Sequence, residues 1–401
     1  MKIEKIVYGG KGMGRLNGKV CFVEGVLLGE EVEVAVIQEK KNYSMARLVS
    51  ISQKSDARVE PPCEYYSKCG GCQYQHMDYK EELSMKEAQV REAFRHELST
   101  QDALIESIQS CDTEGYRYRH TVTLRPLHHS RTTPTRLGYV GRDNASSIVV
   151  DDCLLADKGL KEVFTAKMKL PRNIKRVSFG LSKDGQIMSS LPPSNPRRTR
   201  PSAGKEKYYR VVLGGKEICA VSDGFFQNNH RATERIAQEL SKTVKLFKPE
   251  GFFDLYAGVG TFSLLAAAQV PQIISVEESK SSSDCLYMNR EQHRLLSSWK
   301  HYTGKVEKYF LSESKKVSPE KFMVFLDPPR AGVHPAVADF LSTYDAFRAL
   351  AYLSCDLGNL MRDIKKIMAG KHYEIDRVIP FDMFPRTQHI ETLVLLKPVK
   401  S

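Results

Sequence analysis

With 401 residues, 41% of them apolar and 27% charged, the chain is long enough for two or three domains, each with its own core. A formal charge of +12 favours a polyanionic partner, and the longest apolar runs, such as Leu264 to Ala268, are far too short to cross a bilayer. The start, Met1-Lys2-Ile3-Glu4-Lys5, lacks the apolar core of a signal peptide, so a cytoplasmic setting is expected, in which nine cysteines point to metal or catalysis rather than disulfides.

Residues 1–52 read as a small β-barrel. Glycine-rich turns (Gly9-Gly10-Lys11-Gly12-Met13-Gly14) punctuate short apolar runs, and Val32-Glu33-Val34-Ala35-Val36 alternates with the period of a half-buried strand. Lys40, Lys41, Tyr43 and Arg47 add a basic and aromatic set that suits nucleic acid. Residues 53–239 form a central, β-rich unit. It opens with Cys63, Cys69 and Cys72, then a helix with Leu83, Val90, Phe94 and Leu98 along one stripe. Candidate strands follow at Thr121–Leu124, Arg136–Val140 and Ser147–Val150, and the Pro-, Ser- and Arg-rich stretch 192–207 reads as a loop.

From about 240 to 401 the pattern changes to strands alternating with helices. Phe252–Tyr256, Ile273–Val276, Phe322–Leu326 and Ala351–Ser354 are short apolar runs of the kind buried in a parallel sheet, and Thr392–Leu396 supplies a last strand. This is the grammar of a doubly wound α/β domain, whose ligands bind beyond the carboxyl ends of the strands.

The motifs fall at those ends. Gly258-Val259-Gly260 follows the first strand, where a helix must start, and Glu277 ends the second, where a carboxylate can accept both hydroxyls of a ribose. Ser263 occupies the place of the third glycine of a dinucleotide fingerprint, which favours S-adenosylmethionine (SAM) over NAD. Asp327-Pro328-Pro329-Arg330 ends a further strand, and Arg330 stands where amino-methylating enzymes carry an aromatic residue, so methylation at nitrogen is disfavoured. Methylating a ring carbon needs another device. A thiolate added to C6 of a uracil makes C5 nucleophilic, and Cys355 supplies that thiol. The C5 proton must then leave, for which Glu391 is the candidate general base, with His389 structural. Gln227, in Gly224-Phe225-Phe226-Gln227, can bond the cofactor or the uracil edge. Cys63, Cys69 and Cys72 lack one ligand of a four-thiolate site. Cys111, Cys153 and Cys219 are candidates, and spacing chooses neither among them nor between iron–sulfur and zinc.

In this order the motifs make the chain resemble the RNA uracil-5-methyltransferases, specifically the branch that modifies bacterial large-subunit ribosomal RNA. The carriers are Cys69-Gly70-Gly71-Cys72-Gln73, Gly115-Tyr116-Arg117-Tyr118-Arg119, Gly224–Gln227, Asp254–Phe262, Asp327–Gly332, Leu353-Ser354-Cys355 and Asp382–Thr392, and the similarity covers essentially the whole chain. The resemblance implies a TRAM-type barrel and a class I SAM-dependent catalytic domain, with a helix over about 80–110 that packs on that domain. It implies a [4Fe-4S] cluster on Cys63, Cys69, Cys72 and Cys153, and SAM contacts at Gln227, Tyr256, Thr261, Glu277 and Asp327. It also implies Cys355 as nucleophile, Glu391 as base, and a monomer acting on 23S rRNA, because the tRNA branch typically lacks both barrel and cluster. Two residues depart from the family pattern: Asp356, where Asn is usual, and Lys305, near the expected adenine. The rival readings are the same chemistry on tRNA and an inactive RNA-binding accessory protein, the latter opposed by the pairing of Cys355 with Glu391. Radical methylthiotransferases, which also join a TRAM barrel to a cluster, use a Cys-x3-Cys-x2-Cys spacing that Cys63, Cys69 and Cys72 do not follow.

Overall fold

The computed structural model describes every residue except 111–113, 129, 171–172, 192–207, 223, 345 and 400–401, and leaves aside the side chains of 130–132. Cys111 and the stretch 192–207 therefore lie outside the described residues. Among those described, no helix is long and apolar enough to cross a membrane.

The first five strands are Ile3–Ile6, Gly12–Leu16, Lys19–Val23, Glu31–Glu39 and Tyr43–Gln53, with the fifth inserted between the third and the fourth. A bridge between Lys2 and Glu31 joins the two outer strands, so the sheet closes on itself and leaves no open edge there. Alternation buries Ile3, Ile6, Cys21, Val23 and Val32, while Lys40, Lys41, Tyr43 and Arg47 stay exposed.

Helix Tyr79–Leu98 starts where the Asp78 carboxylate accepts the Lys80 N–H at 2.9 Å. Of the apolar stripe, Val90 and Phe94 are fully buried, but Leu83 and Leu98 are only half-buried. The buried face also carries Tyr79 and Met85 and three polar residues, Glu82, Lys86 and Gln89. The Lys86 ammonium donates at 2.7 Å to both Glu82 and Asp382, and all three side chains are sealed from solvent. Burial alone would lower the Lys86 pKa, but the two carboxylates outweigh it and hold the ammonium charged. The helix thus packs on the carboxyl-terminal domain, where Val90, Phe94 and Ile105 share a core with Phe253, Leu350 and Ile364.

The carboxyl-terminal sheet has seven strands. In spatial order they are Trp299–Thr303, Gln272–Glu277, Gly251–Leu255, Phe322–Leu326, Ala349–Ser354, Glu391–Pro398 and Tyr373–Phe381. The first five are parallel, and Glu391–Pro398 runs against its neighbours. The chain leaves Gly251–Leu255 to one side and returns to its other side at Phe322, so a crevice opens at the carboxyl ends of those two strands. The core on one face draws in the hairpin Tyr208–Val221 and helix His230–Phe247, through Ile218, Ile236, Leu240 and Val244, all of which precede Gly251.

Candidate active site

Tyr256, Glu277, Asp327 and Cys355 stand at the carboxyl ends of strands and Glu391 opens the strand beside Cys355, while Gln227 precedes a helix and Thr261 starts one. Backbone φ is positive at Tyr256 (64°), Gly258 (56°) and Gly260 (82°), so the chain turns sharply out of the sheet. The two glycines differ in their surroundings. A Cβ on Gly258 would meet open space, whereas one on Gly260 would meet the Trp299 ring at 2.8 Å. Gly258 therefore leaves room for a ligand, and Gly260 lets the helix Thr261–Ala266 pack. The Glu277 carboxylate accepts the Gly258 N–H at 2.8 Å and the Ser279 N–H at 2.6 Å, which fixes it at the rim with lone pairs to spare. Ser263 donates at 2.5 Å to buried Asp254, whose carboxyl is pushed up to about 7 by burial. Asn289, unremarked in the sequence, bonds the Val259 carbonyl at 2.9 Å and both backbone groups of Cys219, tying the turn to the hairpin. Thr261 is buried at the start of its helix, the Tyr256 hydroxyl accepts the His334 N–H at 3.1 Å, and Lys305 is exposed.

The candidate nucleophile and base lie side by side at the ends of the next two strands. Ser354 and Thr392 are the last Cα partners where Ala349–Ser354 meets Glu391–Pro398, so Cys355 and Glu391 are the next residues outward on adjacent strands. Asp327 follows the neighbouring strand, and Gln227 donates to it at the 3.5 Å limit of a hydrogen bond. Glu391 is 7% exposed and its carboxylate has no hydrogen-bond partner among the described residues. Burial, then Asp327, push its pKa well above the carboxylate range, while Arg330 pulls it back. Burial and Glu391 raise Cys355 to about 12, again opposed by Arg330. Burial, Asp254 and Glu277 raise Asp327 to about 8. A buried carboxyl without a partner costs stability, which makes this cluster a candidate site.

Arg330 also faces His389 Nε2 at 3.1 Å. A guanidinium only donates, so that nitrogen accepts and the ring proton lies on Nδ1. Burial and Arg330 lower the His389 pKa to about 4, which keeps the ring neutral. Asp356 caps the helix Leu357–Met368, accepting the Asn359 N–H at 2.8 Å, so its charge serves the helix start. From the barrel, the Tyr8 hydroxyl donates to the Cys355 carbonyl and accepts from the Leu357 N–H, both at 3.4 Å.

A second group of thiols lines a separate cavity. Cys63, Cys69, Cys72 and Cys153 surround it together with Tyr139 and Arg119, and none is in a disulfide. The Gly71 N–H and the Gln75 amide donate to Cys69 and Cys72 sulfurs at 3.4 and 3.1 Å. Cys219 lies elsewhere, in the catalytic core beside Cys285. Among the described residues no three His, Cys, Asp or Glu side chains are gathered closely enough to hold a metal ion, so the thiols face the cavity without forming a drawn-up ligand set.

A doubly wound sheet with a glycine turn, a rim carboxylate and reactive groups at the strand ends defines a SAM-dependent methyltransferase. Residues 210–399 match the family described as tRNA (Uracil-5-)-methyltransferase, and residues 1–49 match the TRAM domain. The carboxyl-terminal part of the chain thus matches the RNA uracil-5-methyltransferase family, and its amino-terminal part a TRAM domain. It is 29% identical to an uncharacterized RNA methyltransferase of Thermotoga maritima over 99% of this chain and 98% of the relative. It is also 29% identical to a 23S rRNA (uracil(1939)-C(5))-methyltransferase of Marinomonas sp., over 100% of this chain and 94% of that one. The crystal structure of the Pyrococcus abyssi tRNA (uracil-54, C5)-methyltransferase with S-adenosyl-L-homocysteine shares the fold, with a TM-score of 0.71, 20% identity and 98% of each chain covered.

Proposed function

We propose that this enzyme methylates C5 of a uridine in 23S rRNA through a covalent adduct between Cys355 and C6. The observation that carries the reading is the thiol of Cys355 beside the buried, unpartnered carboxyl of Glu391, one residue past paired strand ends. In this reading Gln227, Tyr256, Thr261, Glu277 and Asp327 would hold SAM, which when bound supplies an electrophilic methyl group. The Cys355 thiolate adds to C6, and the electron pair of the C5–C6 double bond moves onto the C4 carbonyl as an enolate. C5 then takes the methyl group and becomes tetrahedral. Glu391 removes the remaining C5 proton, the double bond re-forms, and the C6–S bond breaks with its electron pair returning to sulfur. Arg330 favours the charged forms of both residues. The uridine must leave its stack to reach this crevice. The exposed Lys40, Lys41, Tyr43 and Arg47 of the barrel suit the flanking RNA.

The choice of rRNA rests on the Marinomonas relative, matched along its length. The second reading, tRNA, rests on the substrate of the more distant Pyrococcus abyssi enzyme. Transfer of labelled methyl from SAM to total RNA, followed by mapping of 5-methyluridine, decides between them. Label in 23S rRNA is expected, and label confined to tRNA would refute the rRNA assignment.

Cys63, Cys69, Cys72 and Cys153 fit a [4Fe-4S] cluster by their chemistry. They offer four thiols without disulfides, N–H donors on two of the sulfurs, and a guanidinium, Arg119, at the cavity wall without an ion-paired carboxylate among the described residues. A bound cluster would supply cross-linking of the turn 63–72 to the strand-end segment at Cys153. Purified protein should carry about four irons per chain, as a four-thiolate cubane requires. Cys153→Ser should lose them while Cys219→Ser keeps them, and the reverse pattern would refute the ligand set.

A further inference from the structure

The segment Met383–Arg386, which leads to Glu391, is held almost entirely by residues from outside the carboxyl-terminal sheet. Four consecutive carbonyls each have a partner elsewhere. Asn229 donates to Met383 O at 3.1 Å, Lys86 to Phe384 O at 3.3 Å, and Tyr118 to Pro385 O at 3.1 Å. Arg386 O accepts both the Gln73 and Tyr74 N–H groups, at 3.0 and 3.2 Å. Arg386 itself sits at φ 65°, a left-handed conformation that a non-glycine residue holds only when its surroundings enforce it. Its guanidinium is anchored on the Met77 and Glu114 carbonyls and lies over the Tyr79 and Tyr116 rings.

Among these partners Gln73 is unusual, because its side chain links two places. Its amide oxygen accepts the Gln388 N–H at 3.2 Å, three residues before Glu391. Its amide nitrogen donates to Gly70 O at 3.1 Å, inside the turn that carries Cys69 and Cys72. Its own carbonyl is fixed by the Tyr66 hydroxyl at 2.5 Å, and Arg142 bonds the carbonyls of Tyr66 and Cys72. The cysteine turn and the approach to Glu391 are therefore connected through the side chain of one residue, by one hydrogen bond at each end.

We propose that Gln73 is a positioning residue that couples the order of the cysteine turn to the placement of Glu391. A disordered turn would then leave Cys355 in place and impair the step that needs the base, so the enzyme would form its RNA adduct normally and release it slowly. The proposal rests on the reading of Glu391 as that base.

The test uses the full chain carrying Gln73→Met, which keeps the shape and removes both hydrogen bonds. In a single turnover, SAM affinity, RNA affinity and the rate of adduct formation stay at the wild-type level. Release of methylated RNA slows by about five- to tenfold, the range set by one lost hydrogen bond, and the adduct accumulates on a denaturing gel. Hydrogen exchange in the peptide spanning 384–391 rises, while that of 349–357 does not. Glu391→Gln is run alongside. If it traps RNA but Gln73→Met releases at the wild-type rate, the coupling is wrong and the base assignment stands. If Glu391→Gln turns over freely, the base assignment falls and the exchange measurement alone decides the coupling: unchanged protection at 384–391 overturns it. Equal loss of adduct formation and release in Gln73→Met also overturns it, since Gln73 would then be a general fold determinant.

Discussion

Cys355 reaches the crevice at the end of a strand, Ala349–Ser354, whose six residues are all buried and whose neighbours on both sides belong to the same sheet. Glu391 arrives on the next strand, but through the segment Asp382–Ile390, whose carbonyls are bonded by Gln73, Lys86, Tyr118 and Asn229. One half of the site is thus built by the Rossmann-like sheet and the other by the units that precede it. In the proposed mechanism the difference gives the additional chain a role: the nucleophile rests on the sheet, with only two long bonds from Tyr8 of the barrel, while the base needs a frame.

The largest effect expected on the sheet side is that of Cys355→Ala. It should bind SAM and RNA yet lose methyl transfer by a factor on the order of 10⁴ to 10⁶, as removal of a nucleophile does elsewhere. Transfer assayed with labelled SAM checks this, and residual activity within tenfold of wild type would remove Cys355 from the mechanism. On the framed side, Lys86→Met leaves Glu82 and Asp382 buried without their cation, which should cost about 3–5 kcal/mol of stability in denaturant titration. A loss below about 1 kcal/mol, the value of an exposed pair, would show that water enters this network and that the frame is soft.

Arg330 joins the two halves. In the proposed mechanism Cys355 and Glu391 both react in their charged forms, and the guanidinium lowers both pKa values against burial. Arg330→Met should therefore raise both and move the rising limb of the rate–pH profile to higher pH, with the alkaline rate closer to wild type than the neutral rate. A profile that only scales down would make Arg330 an RNA contact. The smallest effect is expected at Tyr8, whose two hydrogen bonds to the Cys355–Leu357 turn are long. Burial raises the hydroxyl to about 12, so it stays protonated at any working pH. Tyr8→Phe should slow adduct formation by about two- to threefold without altering its release, as befits a weak neutral bond on the sheet side. Slower release instead would place the barrel with the frame.

The sheet half was legible in the sequence because it is local. Apolar runs predicted Phe322–Leu326 to the residue, and the motifs at Gly258, Asp327 and Cys355 mark strand ends because those residue types have no packing reason to be there. Two strands of the same sheet were not read. Trp299–Thr303 is an edge strand carrying Lys300 and His301, and Tyr373–Phe381 mixes Glu374, Asp376 and Arg377 with a proline, so neither shows an apolar run. The frame was illegible for a different reason. Gln73 and Gln388 are 315 positions apart, Lys86 and Asp382 are 296 apart, and no periodicity encodes a pairing at such distance. The helix stripe misled in the same way. Leu83 and Leu98 are its weaker members, while Glu82 and Lys86, which the apolar stripe leaves out, form a fully buried ion-pair network with Asp382. Asp356, a departure from the family pattern, proved to be a helix cap, which spacing alone does not distinguish from an added charge beside the thiol.

The division of labour between the two halves is tested most directly by a single turnover of Glu391→Gln with SAM and substrate RNA, read on a denaturing gel and by mass. Methyl transfer to C5 at near the wild-type rate, followed by a persistent protein–RNA adduct that carries the methyl group and depends on Cys355, is the predicted result. Free 5-methyluridine product released at the wild-type rate, with no trapped RNA, would contradict it and pass the role of base to another group.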